Sequence, residues 1–171
     1  MDKDRAVELM KVIDKAIAME RNTRSFYLNA SGHVDSVEGK KVLRWLADFE
    51  KSHESRLKSR REMILADPVL AGIKIESSKI STELSEAGLD PEIEEGLTDT
   101  EIVVRAMEFE KKAGDFYSRK ASFAPEGPIR DLFLDLHKEE ERHLKILEGQ
   151  HQHLSVKRMW NNLDSIIRDT Q

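Results

Sequence analysis

Two short stretches of this chain carry the same pair of side chains able to bind a metal. In FEKSHESRL a carboxylate, Glu50, precedes an imidazole, His53, by three residues; in LDLHKEEERHLKIL the pair is Glu140 and His143, ninety residues later. The same offset carries Glu20 in AIAMERNTRSFY onto Glu110 in AMEFEKKAGDFY. Phe26 and Tyr27 map onto Phe116 and Tyr117, and Ala16, Leu46 and Leu57 map onto Ala106, Leu136 and Leu147. A fixed offset of this kind marks an internal repeat. A lone Glu-x-x-His says little, because twenty Glu and six His in a chain of this length give roughly 0.7 copies by chance. A third copy, Glu148 to His151, spans Gly149 and has no counterpart ninety residues upstream, so it is read as coincidence. The other two differ in that their matched positions are chemically active.

Side chains at i and i+3 occupy neighbouring turns of one helix face. A Glu and a His at that spacing can reach one metal ion while the Glu also reaches a second. Four carboxylates gathered without cations repel one another, and several must then hold protons. Two divalent ions balance four negative charges, and two neutral imidazoles add nitrogen ligands. Such a donor set suits iron or manganese better than copper or a structural zinc site. The plainer alternative is two solvated helix faces that happen to match.

Helices must position these groups. Leu9, Ile13, Ala16, Glu20, Thr23 and Tyr27 follow steps of three and four and share one face of a helix from about residue 4 to Ala30, which Ser31-Gly32 ends. An ionised Glu20 on that inward stripe is costly unless paired or bound to metal. The spacing predicts a second helix from about Gly39 to Leu65, with Leu43, Leu46, Glu50, His53, Leu57 and Ile64 inward. Glu54 and Glu62 fall off this stripe and are expected in solvent, as is the basic run RLKSRRE near the helix end. Thr98 and Glu101 form a capping-box pattern opening a third helix to about Ala121, whose stripe is Val103, Ala106, Glu110, Ala113 and Tyr117. Glu108 points elsewhere. Pro128 opens a fourth helix to about Glu148, with Phe133, Leu136, Glu140, His143 and Leu147 inward and His137, Glu139 and Glu141 beside them.

Residues 66–97 carry the turn signals Asp67-Pro68, Ser77-Ser78, Gly88, Asp90-Pro91 and Gly96. A connection of about thirty residues is too long for a tight hairpin and fits a crossover, with a short helix near Ser81 to Ala87. Gly149 reads as a helix stop, and His151 and His153 as surface residues of a loop. Leu154 to Arg168 reads as a short fifth helix packing through Val156, Met159 or Trp160, Leu163 and Ile167. The expected fold is all-α: a four-helix bundle over residues 1–150, made of helix-pair repeats at about 4–65 and 98–149 with a long crossover, then a helical extension over 151–171.

Composition agrees with one such domain. The chain has 171 residues, 36% charged and 39% hydrophobic, with four Pro and eight Gly, a balance suited to amphipathic helices. A net charge of −5 with mixed signs gives no broad basic surface, which argues against nucleic acid. No cysteine is present, which excludes disulfides, thiolate catalysis, Cys-bound iron–sulfur clusters and Cys-ligated zinc. The segment MDKDRAVELM lacks the apolar core of a secretory signal, and no run of about 18 apolar residues exists to cross a membrane. A cytoplasmic protein is expected.

Glu20, Glu50-x-x-His53, Glu110 and Glu140-x-x-His143 together resemble the ligand pattern of ferritin-like di-iron carboxylate proteins, in which two helices each give a Glu and two give Glu-x-x-His. The tandem helix-pair repeat with Glu-x5-Phe-Tyr resembles the rubrerythrin branch most closely, over about residues 4–148. The resemblance implies two iron ions, with manganese or a mixed pair possible and zinc possible in purified protein. It implies that Glu50 and Glu140 bridge the ions, with Glu20 and His53, and Glu110 and His143, as terminal ligands. Rubrerythrins usually carry a rubredoxin module with four cysteines; its absence here makes an external electron donor the expectation. They also have an extra carboxylate one turn from the third-helix ligand, where this chain has Met107 and Ala113. That departure points away from a dedicated peroxidase. Tyr27 and Tyr117, two turns from Glu20 and Glu110, either hydrogen-bond ligand carboxylates across the bundle or simply fill the core.

The leading expectation is therefore a homodimeric di-iron oxidoreductase acting on dioxygen or hydrogen peroxide, as oxidase, peroxide reductase or ferroxidase. The alternatives are metal storage, delivery or sensing without turnover, and a helical interaction module that has lost its metal.

Overall fold

The computed structural model describes residues 3–66, 92–124 and 126–169, with side chains over 8–66, 92–124 and 126–156. Four helices account for it: α1 (Lys3–His33), α2 (Val37–Ala66), α3 (Asp99–Phe123) and α4 (Pro128–Asp169). No strand occurs among the described residues. Every residue of the four inward stripes is buried, the polar ones included. Periodicity of 3.6 therefore placed the apolar and the chemical residues on the same faces.

Cross-helix contacts fix the directions. Arg21 meets Glu54 and Asp14 meets Arg61, so α1 and α2 are antiparallel. Tyr27 meets Glu110 and Tyr117 meets Glu20, so α1 and α3 are antiparallel as well. It follows that α2 and α3 run parallel, the chain leaving α2 at one end of the bundle and entering α3 at the other. That topology calls for the long connection expected from the sequence; the short helix expected near Ser81 to Ala87 lies outside the described residues. Each hairpin, α1 on α2 and α3 on α4, packs most extensively within itself.

Apolar layers cap the polar middle. One, around Ile13, Leu57, Phe116, Phe133 and Leu136, lies to one side; the other, around Phe26, Leu46, Ile102 and Leu147, lies to the opposite side. Full burial of each such side chain is worth about 1.5–3 kcal/mol. The termini are tied locally. Thr98 and Glu101 form the reciprocal capping box: Thr98 Oγ1 accepts from Glu101 N at 3.3 Å, and Glu101 Oε2 accepts from Thr98 N at 2.8 Å. Ser36 Oγ accepts from Gly39 N at 3.1 Å to cap α2, and Asp99 Oδ1 accepts from Asp35 N at 3.1 Å, holding the α1–α2 turn to the start of α3.

Four details differ from the sequence reading. Helix α1 runs through Ser31-Gly32 and ends at His33. The C-terminal segment is helical, but it continues α4 straight through Gly149 and is not a separate helix. Gly149 lacks the positive φ of a helix-ending glycine, which only Gly96 and Gly127 show among the described residues. A glycine inside a helix costs about 1 kcal/mol relative to alanine, too little to end a long one without a following proline. His151 and His153 accordingly ride on α4 and not in a loop. Glu54 is buried, because Arg21 Nε and Lys58 Nζ both close on its Oε1 at 2.6 Å and their stems cover it. The basic run is likewise engaged: Arg61 pairs with Asp14 at 2.6 Å and Arg56 with Glu139 at 2.7 Å.

An added Cβ at Gly149 meets nothing within 4 Å. Gly149→Ala should therefore stabilise the protein by up to about 1 kcal/mol in urea unfolding, by raising helix propensity. A loss of stability would mean that the helix ends there.

Candidate metal centre

At the middle of the bundle α1 supplies Glu20, α2 supplies Glu50 and His53, α3 supplies Glu110, and α4 supplies Glu140 and His143. None is more than 2% exposed. They form two overlapping groups, Glu20, Glu50, His53 and Glu140 in one and Glu50, Glu110, Glu140 and His143 in the other. In each, one ligand atom per residue lies within 4.8 Å of the rest. Glu50 and Glu140 belong to both. The two imidazole rings stack with centroids 5.6 Å apart and an interplanar angle of 16°. Glu148 and His151 belong to neither group, and Glu108 is exposed.

The polar groups cannot satisfy one another. His53 Nδ1 faces Glu140 Oε1 at 3.1 Å, Glu20 Oε2 at 3.3 Å and Glu50 Oε2 at 3.4 Å. His143 Nδ1 faces Glu140 Oε2 at 3.1 Å, Glu110 Oε2 at 3.5 Å and Glu50 Oε1 at 3.8 Å. Each nitrogen carries at most one proton, against three carboxylate oxygens. Glu50 Oε1, Glu110 Oε2 and Glu140 Oε1 are buried without a hydrogen-bond partner of good geometry. Two other oxygens are satisfied from across the bundle, by Tyr27 donating to Glu110 Oε1 and Tyr117 donating to Glu20 Oε1. The tyrosines are thus more than core filling. Oxygens left over around two converging nitrogens are what a pair of cations fits, since an unpaired buried carboxylate is strongly unfavourable.

Without cations the cluster holds protons. Burial, then the charges of Glu140 and Glu20, push Glu50 well above its ordinary range. Burial and the charge of Glu140 raise Glu110 to about 8, against the pull of His143. Burial acts to raise Glu140 too, yet hydrogen bonds from His143 and His53 outweigh it and hold this carboxyl low. Burial works against charge on both imidazoles, but the surrounding carboxylates prevail: His143 rises to about 9, and His53 rises further under Glu139, Glu140, Glu20 and Glu50. Burial and the nearby carboxylates keep both tyrosines neutral.

Two features were not picked out from the sequence. Glu139, expected only to flank the inward face, accepts from His53 Nε2 at 2.8 Å and from Arg56 Nη1 at 2.7 Å. Its step next to Glu140 was visible, but its partners depend on the register of α2 against α4. A cleft of about 510 Å³ also opens between α3 and α4 and reaches Glu110 and Glu140, with Glu108, Glu141 and Glu148 among its walls.

The proton load sets a pH dependence for metal-free protein. Glu110 binds its proton more tightly folded than unfolded, so its contribution is complete near pH 4.5 and is lost as pH rises through about 8. His143 has the same sign, its contribution being lost between about 6.5 and 9. Glu140 has the opposite sign, losing its contribution as pH falls from 4.5 toward 2. Metal-free protein should melt highest near about pH 5 and progressively lower toward pH 9, whereas protein loaded with a divalent metal should hold its Tm across that window. Calorimetry in a buffer series with and without metal checks this; parallel curves would show that no cation replaces the protons.

A rubrerythrin family profile matches residues 11–150. No curated protein matches the sequence. Among solved structures, a hypothetical protein from Pyrococcus furiosus is similar with a TM-score of 0.66 and 22% identity, covering 84% of this chain and 88% of its own. A dodecameric thioferritin, the bacterioferritin-related protein from Bacteroides fragilis, is similar with a TM-score of 0.71 and 17% identity, covering 92% of this chain and 90% of its own. At those identities the structures speak for the fold, and the fold is ferritin-like. With the profile spanning both helix pairs and the whole Glu/His cluster, the chain belongs to the rubrerythrin family.

Proposed function

We propose that this protein is a non-haem dinuclear iron oxidoreductase that reacts with dioxygen or hydrogen peroxide. The observation that carries the proposal is the pair of overlapping four-residue groups sharing Glu50 and Glu140. In this reading Glu50 and Glu140 would serve both ions, Glu20 and His53 would complete one position, and Glu110 and His143 would complete the other. Four carboxylates neutralise two divalent charges, so the loaded centre is stable where the metal-free cluster must bind protons. Iron bound there would supply the redox chemistry; manganese or a mixed pair fits the same donors.

The chain's own groups hold the site ready. Tyr27 and Tyr117 orient Glu110 and Glu20 through their hydroxyls, leaving the second oxygen of each carboxylate turned toward the cluster. The apolar layers on either side keep bulk water out along the bundle axis. With Met107 and Ala113 one turn from Glu110, no side chain there can replace His53 or His143 as a ligand. The centre is therefore expected to react with dioxygen at least as readily as with peroxide. An external electron donor is part of this proposal. The acidic cleft toward Glu110 and Glu140 favours a second reading, iron handling without redox turnover, because carboxylate walls attract cations. Self-association belongs to the proposal, with a homodimer as the expected unit; the similar thioferritin is dodecameric. No helix among the described residues is long and apolar enough to cross a membrane.

Anaerobic loading should give about two ferrous ions per chain. Glu50→Ala or Glu140→Ala should impair both positions, and Glu20→Ala mainly one. Stopped-flow mixing of the loaded protein with dioxygen and with peroxide then separates the readings. Oxidation by dioxygen at a comparable or faster rate supports the oxidase or ferroxidase form. A rate orders of magnitude faster with peroxide restores a peroxidase, and stable binding without oxidation leaves storage or delivery. One ion per chain, indifferent to Glu140→Ala, would sink the dinuclear site.

A further inference from the structure

We propose that Glu139 is a positioning residue that makes the two metal positions unequal, so that the position containing Glu20 and His53 fills first. The inference rests on the dinuclear reading above and goes beyond it, because nothing in the six-residue pattern distinguishes one half from the other.

The geometry begins at the His53 ring. Its Nδ1 looks into the carboxylate cluster, with oxygens of Glu140, Glu20 and Glu50 at 3.1 to 3.4 Å. Its Nε2 looks the other way, to Glu139 Oε2 at 2.8 Å. A carboxylate cannot donate when ionised, so this contact requires the proton on Nε2. When a cation takes the place of the Nδ1 proton, the Nδ1 lone pair is aimed at the cluster, the tautomer and orientation a metal ligand needs. Glu139 is itself held: Arg56 Nη1 donates to the same oxygen at 2.7 Å, and three-quarters of the Glu139 side chain is covered. Arg56 and His53 lie one turn apart on α2, so a single carboxylate from α4 spans both.

The repeat shows what is special here. Ninety residues separate matched positions, so the counterpart of Glu139 is Phe49, and that of Arg56 is Ile146. Where α4 offers His53 a carboxylate locked by an arginine, α2 offers His143 a phenyl ring. Phe49 meets the His143 ring edge-on with centroids 5.1 Å apart, and Trp45 stands behind it at 6.0 Å. Among the described residues, the ion-pair contacts of His143 run through Nδ1 to the cluster. An aromatic ring does not accept an N–H as a carboxylate does, and it adds no charge. The ligands are matched, and the groups behind them are not.

A carboxylate on the far nitrogen of a ligating histidine fixes the ring and raises its basicity, and losing it typically weakens metal binding about 10–100-fold. The position with His53 should therefore bind the first ion and that with His143 the second.

Cobalt(II) reads this without turnover, because calorimetry resolves binding steps and its visible absorption reports the ligands at each. Wild-type protein should show two separable steps. Glu139→Ala should weaken the first step about 10–100-fold, leave the second nearly unchanged and bring the two together. Glu139→Gln keeps an acceptor oxygen and should restore most of the separation, which a general packing defect would not allow. Phe49→Glu should strengthen the second step. Two equal steps in wild type, or equal weakening of both by Glu139→Ala, would overturn this inference and leave the dinuclear site standing. Wild-type protein that binds no cobalt would overturn the dinuclear reading and this inference with it.

Discussion

Four carboxylates buried at one level of a helical bundle are the constraint on which the rest depends. Each ionised carboxylate removed from water is unfavourable by several kcal/mol after relaxation, and mutual repulsion adds to that when four share a site. No apolar packing nearby cancels such a term, so the surroundings must supply positive charge, protons or both. The structure meets this demand in a graded way. Tyr27 and Tyr117 each give one hydrogen bond, His53 and His143 give one nitrogen to the centre, and three oxygens still lack partners. The two apolar layers then do the ordinary work of folding on either side, so that the middle is free to be built for charge.

The same constraint explains why so much was legible in the sequence. A Glu on an inward stripe breaks the apolar pattern, and four such breaks at matched offsets cannot be placed on solvated faces without exposing Leu46, Leu57, Leu136 and Leu147, all of which are buried to within 1%. The helices followed from the stripes, and the parallel course of α2 and α3 from the length of the connection. What did not follow were features set by neighbours outside a residue's own helix. Glu54 sits off the stripe, and the closing of Arg21 from α1, together with Lys58, removes it from solvent. Gly149 is a weak local signal overruled by the helix formers around it. Glu139 is polar, next to Glu140 and off the face, and nothing on α4 alone announces Arg56 and His53 as its partners.

The two repeats carry the same Glu and His residues, and they differ most in the seams. On the α1–α2 side, Glu54 gathers Arg21 and Lys58 into a charged clasp over the groove. The matched residues on the α3–α4 side are Leu144, Lys111 and Glu148. Leucine cannot accept either cation, so the same clasp cannot form. Gly114 stands where α1 has Arg24, and a Cβ there would lie 3.7 Å from that of Glu140. With the clasp gone and the side chain missing, the cleft between α3 and α4 runs down to Glu110 and Glu140.

Both departures from symmetry act on the same axis. The half holding Glu20 and His53 is tied down by charged contacts, through Arg56 to Glu139 and through Arg21 and Lys58 to Glu54. The half holding Glu110 and His143 is backed by the rings of Phe49 and Trp45 and lies against the cleft. A bundle that needed only to neutralise its carboxylates would have no reason to differ between halves, since two divalent cations would already balance the four of them. Polar fixation on one side and an apolar backing with an open approach on the other would divide the proposed dinuclear centre into a firmly held position and a more accessible one. The contacts of Glu139 with His53 and Arg56, and of Phe49 with His143, cross from one hairpin to the other. In the proposed centre, how the two hairpins meet would therefore matter as much as the Glu and His residues each one carries.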